Sequence, residues 1–244
     1  MNRTLATSFL SALLCATVLS AGCGNNPSSE SSSSEPSTPK PTSPISIQIA
    51  PGVSLEMVRL PSGIWMGKTE VTQEQWDAVT GENPSEFRGR NNPVECVSWD
   101  DCQEFLRKLN ELPSVKDSGL TFRLPTEEEW VCACRAGATG KFCKLADGTE
   151  ITADTLGRVA WIKDNSDNRM HPVGQKEPNA FGLYDMHGNA WEWTSTADGE
   201  GRVGLGGCWS FSARNCESSE RDWALPDDRN DCLGFRLCAD GRAD

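Results

Sequence analysis

The sequence predicts an α+β domain, with strands and helices gathered in its first half and a second half in which loops dominate. Three observations carry this. A hydroxyl residue followed three positions later by a side-chain acceptor, the spacing of a helix-capping box, occurs three times between residues 72 and 129. Short alternating or β-branched apolar stretches lie before the first of these starts and well after the last. Beyond residue 137, Gly, Asn, Asp and Pro become frequent and helical periodicity is lost.

In chain order, the first residues read as an address. Met1-Asn2-Arg3 is a positive start, and Leu5 to Leu19 is an apolar run better suited to a secretory signal than to a membrane span. It ends in Leu19-Ser20-Ala21-Gly22-Cys23, which resembles the lipobox of bacterial lipoproteins. That resemblance implies cleavage before Cys23 and a diacylglyceryl anchor on its thiol. Gly24 to Pro44 has no aliphatic or aromatic residue and is expected to be a disordered tether. The expected organisation is therefore residues 1–22 as signal, 23–44 as lipidated cysteine and tether, and 45–244 as the folded domain. Arg3 and Lys40 cancel Glu30 and Glu35, so the net charge of −12 belongs wholly to residues 45–244.

Within that domain, Ile45 to Ile49 alternates like a strand. Leu55 to Leu60, followed by Gly63 to Met66, reads as a hairpin. Thr72 with Gln75, Ser98 with Asp101, and Thr126 with Glu129 start three helices, because each hydroxyl can accept from a free backbone N–H. The second helix carries Phe105, Leu106, Leu109 and Leu112 on one face, and the third carries Trp130 and ends near Gly137. Trp191 to Thr194 and Gly234 to Leu237 are short strands. Charged residues at 24% and hydrophobic ones at 37% exclude a polytopic membrane protein. The acidity argues against nucleic acid, whose phosphates require clustered Lys and Arg.

Several segments together resemble the formylglycine-generating enzyme (sulfatase-modifying factor) family. They are Glu70 to Trp76, Asn92 to Asp100, Phe122 to Trp130, Asn179 to Trp193, Gly206-Gly207 and Leu233 to Arg236. The resemblance runs from about Leu55 to Cys238. It implies the family's C-type-lectin-like α+β fold, with small antiparallel sheets, a few helices and much irregular loop. A fold can host unrelated chemistries, so the site residues have to be weighed one by one.

The family's oxidase converts a substrate cysteine to formylglycine with copper held by two cysteines five apart, after the Gly-Gly turn. Thiolates suit Cu(I). Cys216 stands at one of those positions here and Phe211 at the other, and a phenyl ring cannot ligate copper. Cys208, beside the turn, is the available substitute, and the expectation leans against an enzyme. Cys132 and Cys134 lie two apart on a helix and diverge, whereas Cys96 and Cys102 flank a helix start where a disulfide can be drawn. Setting aside Cys15 and Cys23, nine of the 11 cysteines belong to the domain, so at least one is free or pairs between chains.

Glu192 lies between Trp191 and Trp193, so strand alternation sends it away from both indoles. A carboxylate in such company needs a cation or several N–H donors. The resemblance implies a structural calcium held by Glu192, Asn189 and the backbone oxygens of Gly188 and Ala190, and hard oxygen ligands agree with that ion.

The stretch 208–232 mixes aromatic and small polar residues in an Asp- and Pro-rich loop, a composition suited to recognition. It is similar to the mutagenised segment of the variable proteins of diversity-generating retroelements. The resulting expectation is a non-catalytic surface lipoprotein, extracytoplasmic and anchored at the outer membrane or cell surface. It would bind a protein or glycan through Ser210, Phe211, Ser212, Asp222, Trp223, Ala224, Leu225, Asp228, Asp231 and Cys232. Two other functions stand beside it. One is a sulfatase-modifying oxidase using Cys216 with Cys208 and copper; the other is a structural cell-envelope module.

Overall fold

The computed structural model describes residues 43–241. The expectations that fall on the signal, on Cys23 and on most of the tether lie outside the described residues. Among the described residues no helix is long and apolar enough to cross a membrane.

The chain opens with β1 (Ile45–Ala50) and β2 (Val53–Arg59), which pair antiparallel with Ile47 opposite Leu55. β3 (Trp65–Gly67) returns along β2, so the expected hairpin is present. All three capping boxes form, and both halves of each are made. Thr72 Oγ1 accepts from Gln75 N–H at 3.2 Å while Gln75 Oε1 accepts from Thr72 N–H at 2.9 Å, starting α1 (Gln73–Thr80). Ser98 and Asp101 do the same for α2 (Trp99–Glu111), and Thr126 and Glu129 for α4 (Glu127–Arg135). Between them lies α3 (Pro113–Asp117), a single turn opened by proline, whose missing N–H costs nothing at a helix's first position. The sequence pattern passed over it because five residues are too few to show a period.

Two sheets result. The first runs β1-β2-β3-β9-β4, all antiparallel, where β4 is Leu120–Arg123 and β9 is Cys238–Gly241. The second runs β7-β6-β5-β8, from β5 (Trp191–Asp198), β6 (Gly201–Leu205), β7 (Arg221–Ala224) and β8 (Leu233–Phe235). Small antiparallel sheets were expected, but β5 and β8 run parallel, with Trp191 opposite Leu233 and Trp193 opposite Phe235. A parallel pair needs a long crossover. Here residues 199–232 supply it, so the crossover that closes the second sheet also carries the expected recognition loop.

The main core fills the space between the first sheet and α1 and α2. Trp76 stacks on Phe105 at 5.1 Å, and Phe235 meets both rings edge-on. Trp191 and Trp193 bury their indoles in the same cluster, on the side of β5 opposite Glu192. A second cluster gathers around Trp130, Met66 and Val203, and a third lies beneath residues 142–162. The irregular segment between α4 and β5 is pinned by side chains. Asn179, for example, donates to the carbonyls of Ala133 and Cys134 and accepts from the N–H groups of Phe181 and Leu183.

Candidate functional site

At the start of β5, Glu192 is completely buried and faces Arg236, which is equally buried. The guanidinium reaches Glu192 through Nε at 2.7 Å and a second nitrogen at 2.7 Å, and Trp130 Nε1 donates to the same carboxylate at 2.6 Å. Three N–H donors thus surround a carboxylate for which either donors or a cation had to be found, and a bidentate guanidinium is the strong form of such pairing. Calcium at this position does not fit that arrangement. Arg236 holds both oxygens of Glu192, and Asn189 has its side-chain oxygen on the N–H of His171. Behind Arg236 lie two further buried carboxyls, Glu70 and Asp185. Burial first, and then neighbouring carboxylates, hold Glu70 well above the usual carboxylate range; burial lifts Asp185 to about 6.

The Gly-Gly turn follows β6. Gly206 and Gly207 both adopt left-handed backbone (φ 103° and 75°), and a Cβ at Gly207 would collide with Cys216 Sγ. Cys216 is buried behind this turn, and burial pushes its thiol up to about 12. Its carbonyl accepts from His187 Nδ1 at 2.7 Å, while His187 Nε2 accepts from the N–H of Cys143 at 3.1 Å. With both ring nitrogens engaged, burial holds His187 neutral and pushes it down to about 4. Copper does not fit the two positions that the resemblance implies: Phe211 offers no donor atom, and its ring packs edge-on against Trp191 at 5.8 Å. Cys208 does not swing toward position 211. Its sulfur lies 3.2 Å from Ser210 Oγ, and the Cys232 thiol stands near enough to influence its ionisation. Cys132 is exposed and Cys134 buried, as their spacing required, and Cys96 and Cys102 both stand as free thiols.

Beside Cys232 opens a groove of ≈ 330 Å³. Six of the ten predicted ligand-binding residues line it: Phe211, Asp222, Trp223, Ala224, Asp228 and Cys232. Ser210, Ser212, Leu225 and Asp231 do not. Ser210 turns to Cys208, Ser212 bonds Asn215, Leu225 anchors its N–H on Asp228, and Asp231 sits toward the thiols. The groove also takes in Trp191, Trp193, Arg229 and Asn230, which sequence reasoning had treated as scaffold or left aside. The two indoles read as core because Trp193 is wholly buried and Trp191 nearly so; Arg229 carried no motif at all. Trp223 on β7 is the most exposed large apolar side chain among the described residues, at 58%, with Leu225 next at 40%. Its ring lies over Gly201, where a Cβ would intrude.

The loop that forms the groove's far wall is tied down. Arg229 grips Asp101, at the start of α2, through two bonds of 2.9 Å, and the carbonyl of Pro226 accepts from Asp100 N–H. Asn230 accepts through its carbonyl from Cys96 N–H and through its side chain from Cys232 N–H. The arrangement is a preformed cleft with aromatic walls, an acidic rim and the Cys232 thiol at its foot.

Comparison with known proteins places these features in context. The model of the sulfatase-modifying factor enzyme 1-like domain matches residues 38–241. Chaperone protein LppX of Paenibacillus barcinonensis is 30% identical over 210 residues, covering 65% of this chain and 73% of that protein. Inactive C-alpha-formylglycine-generating enzyme 2 of Bos taurus is 33% identical over 75% of this chain and 61% of its own length. Proteins named formylglycine-generating enzyme from Mus musculus and Streptomyces coelicolor match as well, and the chain spans about half the length of each. Among solved structures, Treponema denticola variable protein 1 superposes with a TM-score of 0.65 at 30% identity, covering 82% of this chain and 93% of that one.

Proposed function

The chain belongs to the sulfatase-modifying factor enzyme 1-like family, and from that premise we propose that it is a surface-displayed lipoprotein, anchored through Cys23, whose groove binds a ligand. The observation that carries this is the convergence of Phe211, Trp223 and Trp191 on one cleft with Trp223 left open to solvent. Exposed aromatic area of this kind supplies contact at little entropic cost, and the flanking Asp222, Asp228 and Arg229 supply directional bonds. The fold reads as C-type-lectin-like, and residues 208–232 read as a diversified segment. The likeness to a protein titled variable protein 1 supports that second reading. The partner is a protein or glycan at the cell surface.

A second reading is a sulfatase-modifying oxidase. The curated relatives named formylglycine-generating enzyme favour it over binding without chemistry. The Cys232 thiol in the groove, with Cys208 beside it and Cys216 behind the Gly-Gly turn, is the structural feature that supports it. Phe211 at one of the implied copper positions speaks against it, and no step through copper follows from the residues present.

One experiment separates the two. The purified domain, loaded with copper under air, is given a sulfatase-type cysteine peptide, and aldehyde formation is followed by hydrazide capture and mass spectrometry. In parallel, the domain and its Trp223→Ala variant are applied to glycan and cell-surface protein arrays. Binding that falls at least tenfold in Trp223→Ala, with no aldehyde, is the expected result. Aldehyde production that disappears in Cys216→Ser would establish the oxidase instead.

A further inference from the structure

The two ends of the groove-forming segment are brought together by the start of β5. Trp209 N–H donates to the carbonyl of Asn189 at 3.1 Å, and Trp191 N–H donates to the carbonyl of Cys232 at 2.8 Å. Two anchors two residues apart therefore place residues 208 and 232 side by side, and both side chains enter the same apolar cluster. The two thiols stand close enough to shift each other's ionisation, and Cys232 is the one that also lines the groove. Cys208 is fully buried, and Cys232 is half-buried.

We propose that Cys208 and Cys232 form a disulfide that closes the foot of the groove when the domain stands in an oxidising compartment. Access and reactivity are divided between the two sulfurs. Cys232, reached from the groove, attacks one sulfur of a donor disulfide such as oxidised glutathione, losing its proton to solvent and releasing one donor thiolate. Cys208 then attacks the Cys232 sulfur of the mixed disulfide and expels the second donor thiol. Two cysteines are oxidised by two electrons and the donor disulfide is reduced to two thiols. Ser210 Oγ, 3.2 Å from the Cys208 sulfur, can donate to its thiolate while Cys232 is held in the mixed disulfide, which favours the resolving step. Cys216 is the competing partner, because its sulfur packs against Gly207, the neighbour of Cys208. It lies behind the Gly-Gly turn, away from the groove, where no donor reaches it.

The bond would tie residue 208 to residue 232 across the whole recognition loop and hold the groove in its ligand-ready shape. That consequence rests on the binding reading, whereas the pairing itself does not. The test is equilibration of the full domain in glutathione redox buffers, alkylation, digestion and mass spectrometry without reduction. A cross-linked peptide pair carrying Cys208 and Cys232 is expected, with two fewer alkylated thiols than the nine that stand free in the reduced domain. Cys216→Ser should keep the cross-link, and Cys208→Ser should stall Cys232 as its glutathione adduct. Wild-type amides of residues 222–232 should exchange about tenfold more slowly after oxidation. Nine free thiols in the most oxidising buffer would overturn the proposal, as would a cross-link from Cys208 to Cys216. If the cross-link forms and the arrays capture nothing, the binding reading fails and the pairing stands.

Discussion

Asp185 is buried in the left-handed backbone region (φ 55°), with one oxygen on Gly174 N–H at 2.7 Å and the other without a partner. Its carboxyl, lifted by burial to about 6, keeps a proton that the unfolded chain has already released. Between about pH 4 and 6 the folded state therefore binds more protons than the unfolded state through this group, so its contribution to stability falls as pH rises. Glu70, raised by burial and by Asp185, acts with the same sign. His187 acts oppositely. Burial pushes it down to about 4, so the unfolded chain takes up a proton that the folded one refuses, and stability rises with pH from about 4 to 6.5. Asp185→Asn can keep the bond to Gly174, and Asn tolerates the left-handed region. Urea unfolding across this window should show the variant gaining stability relative to the wild type as pH rises. Parallel curves would mean that Asp185 titrates as it does in the unfolded chain.

At the scale of the element, the capping boxes start helices that other interactions then use. α4 is held by Thr126 and Glu129, and Glu129 also meets Arg123 on β4 at 2.7 Å in each of two bonds. The helix in turn sets Trp130 against Glu192. Thr126→Ala should lower stability by about 1 kcal/mol, as loss of an N-cap does, and Thr126→Ser should restore most of it. Denaturant midpoints of the two variants would check this, and equal losses would show that the methyl group, not the hydroxyl, matters. α2 shows the same economy of position: Asp101 completes the cap of Ser98 and also clamps Arg229 of the groove loop. The helix starts were legible because a capping box is a four-residue pattern with local physics. β4 and β9 were not, because each is four residues long and its pairing partners lie more than 100 residues away.

For the whole molecule, stability resides in the three apolar clusters and the Glu192–Arg236 pair, whereas the exposed part of the 208–232 segment lies outside them. That separation is what a diversified surface requires: positions must change without moving the core. Substitutions at Ser212, Trp223, Leu225 and Asp228 should each shift unfolding free energy by no more than about 0.5 kcal/mol. Substitution at Phe211, which packs on Trp191, should cost more. The same genes from sibling isolates should differ at the first set and keep the helix starts and β8. A uniform loop across isolates would remove the diversified reading while leaving binding itself untouched. Under the proposed binding, the net charge of −12 carried by the domain would favour cationic ligands, an effect that weakens with salt.

By itself the sequence determined what short-range chemistry determines: three capped helices, the first hairpin, the divergence of Cys132 from Cys134, and a family-like order of motifs. It also marked the segment in which the groove was to be sought. Only the tertiary structure decided what meets across distance. It gave Glu192 the N–H groups of Arg236 and Trp130, turned Cys208 to Cys232 rather than toward position 211, and made Trp191, Trp193 and Arg229 part of the groove. The physical reason is that capping and alternation act within one turn or one strand. Ion pairs, thiol contacts and cleft walls, by contrast, depend on how a 34-residue crossover folds back to lay β8 parallel to β5.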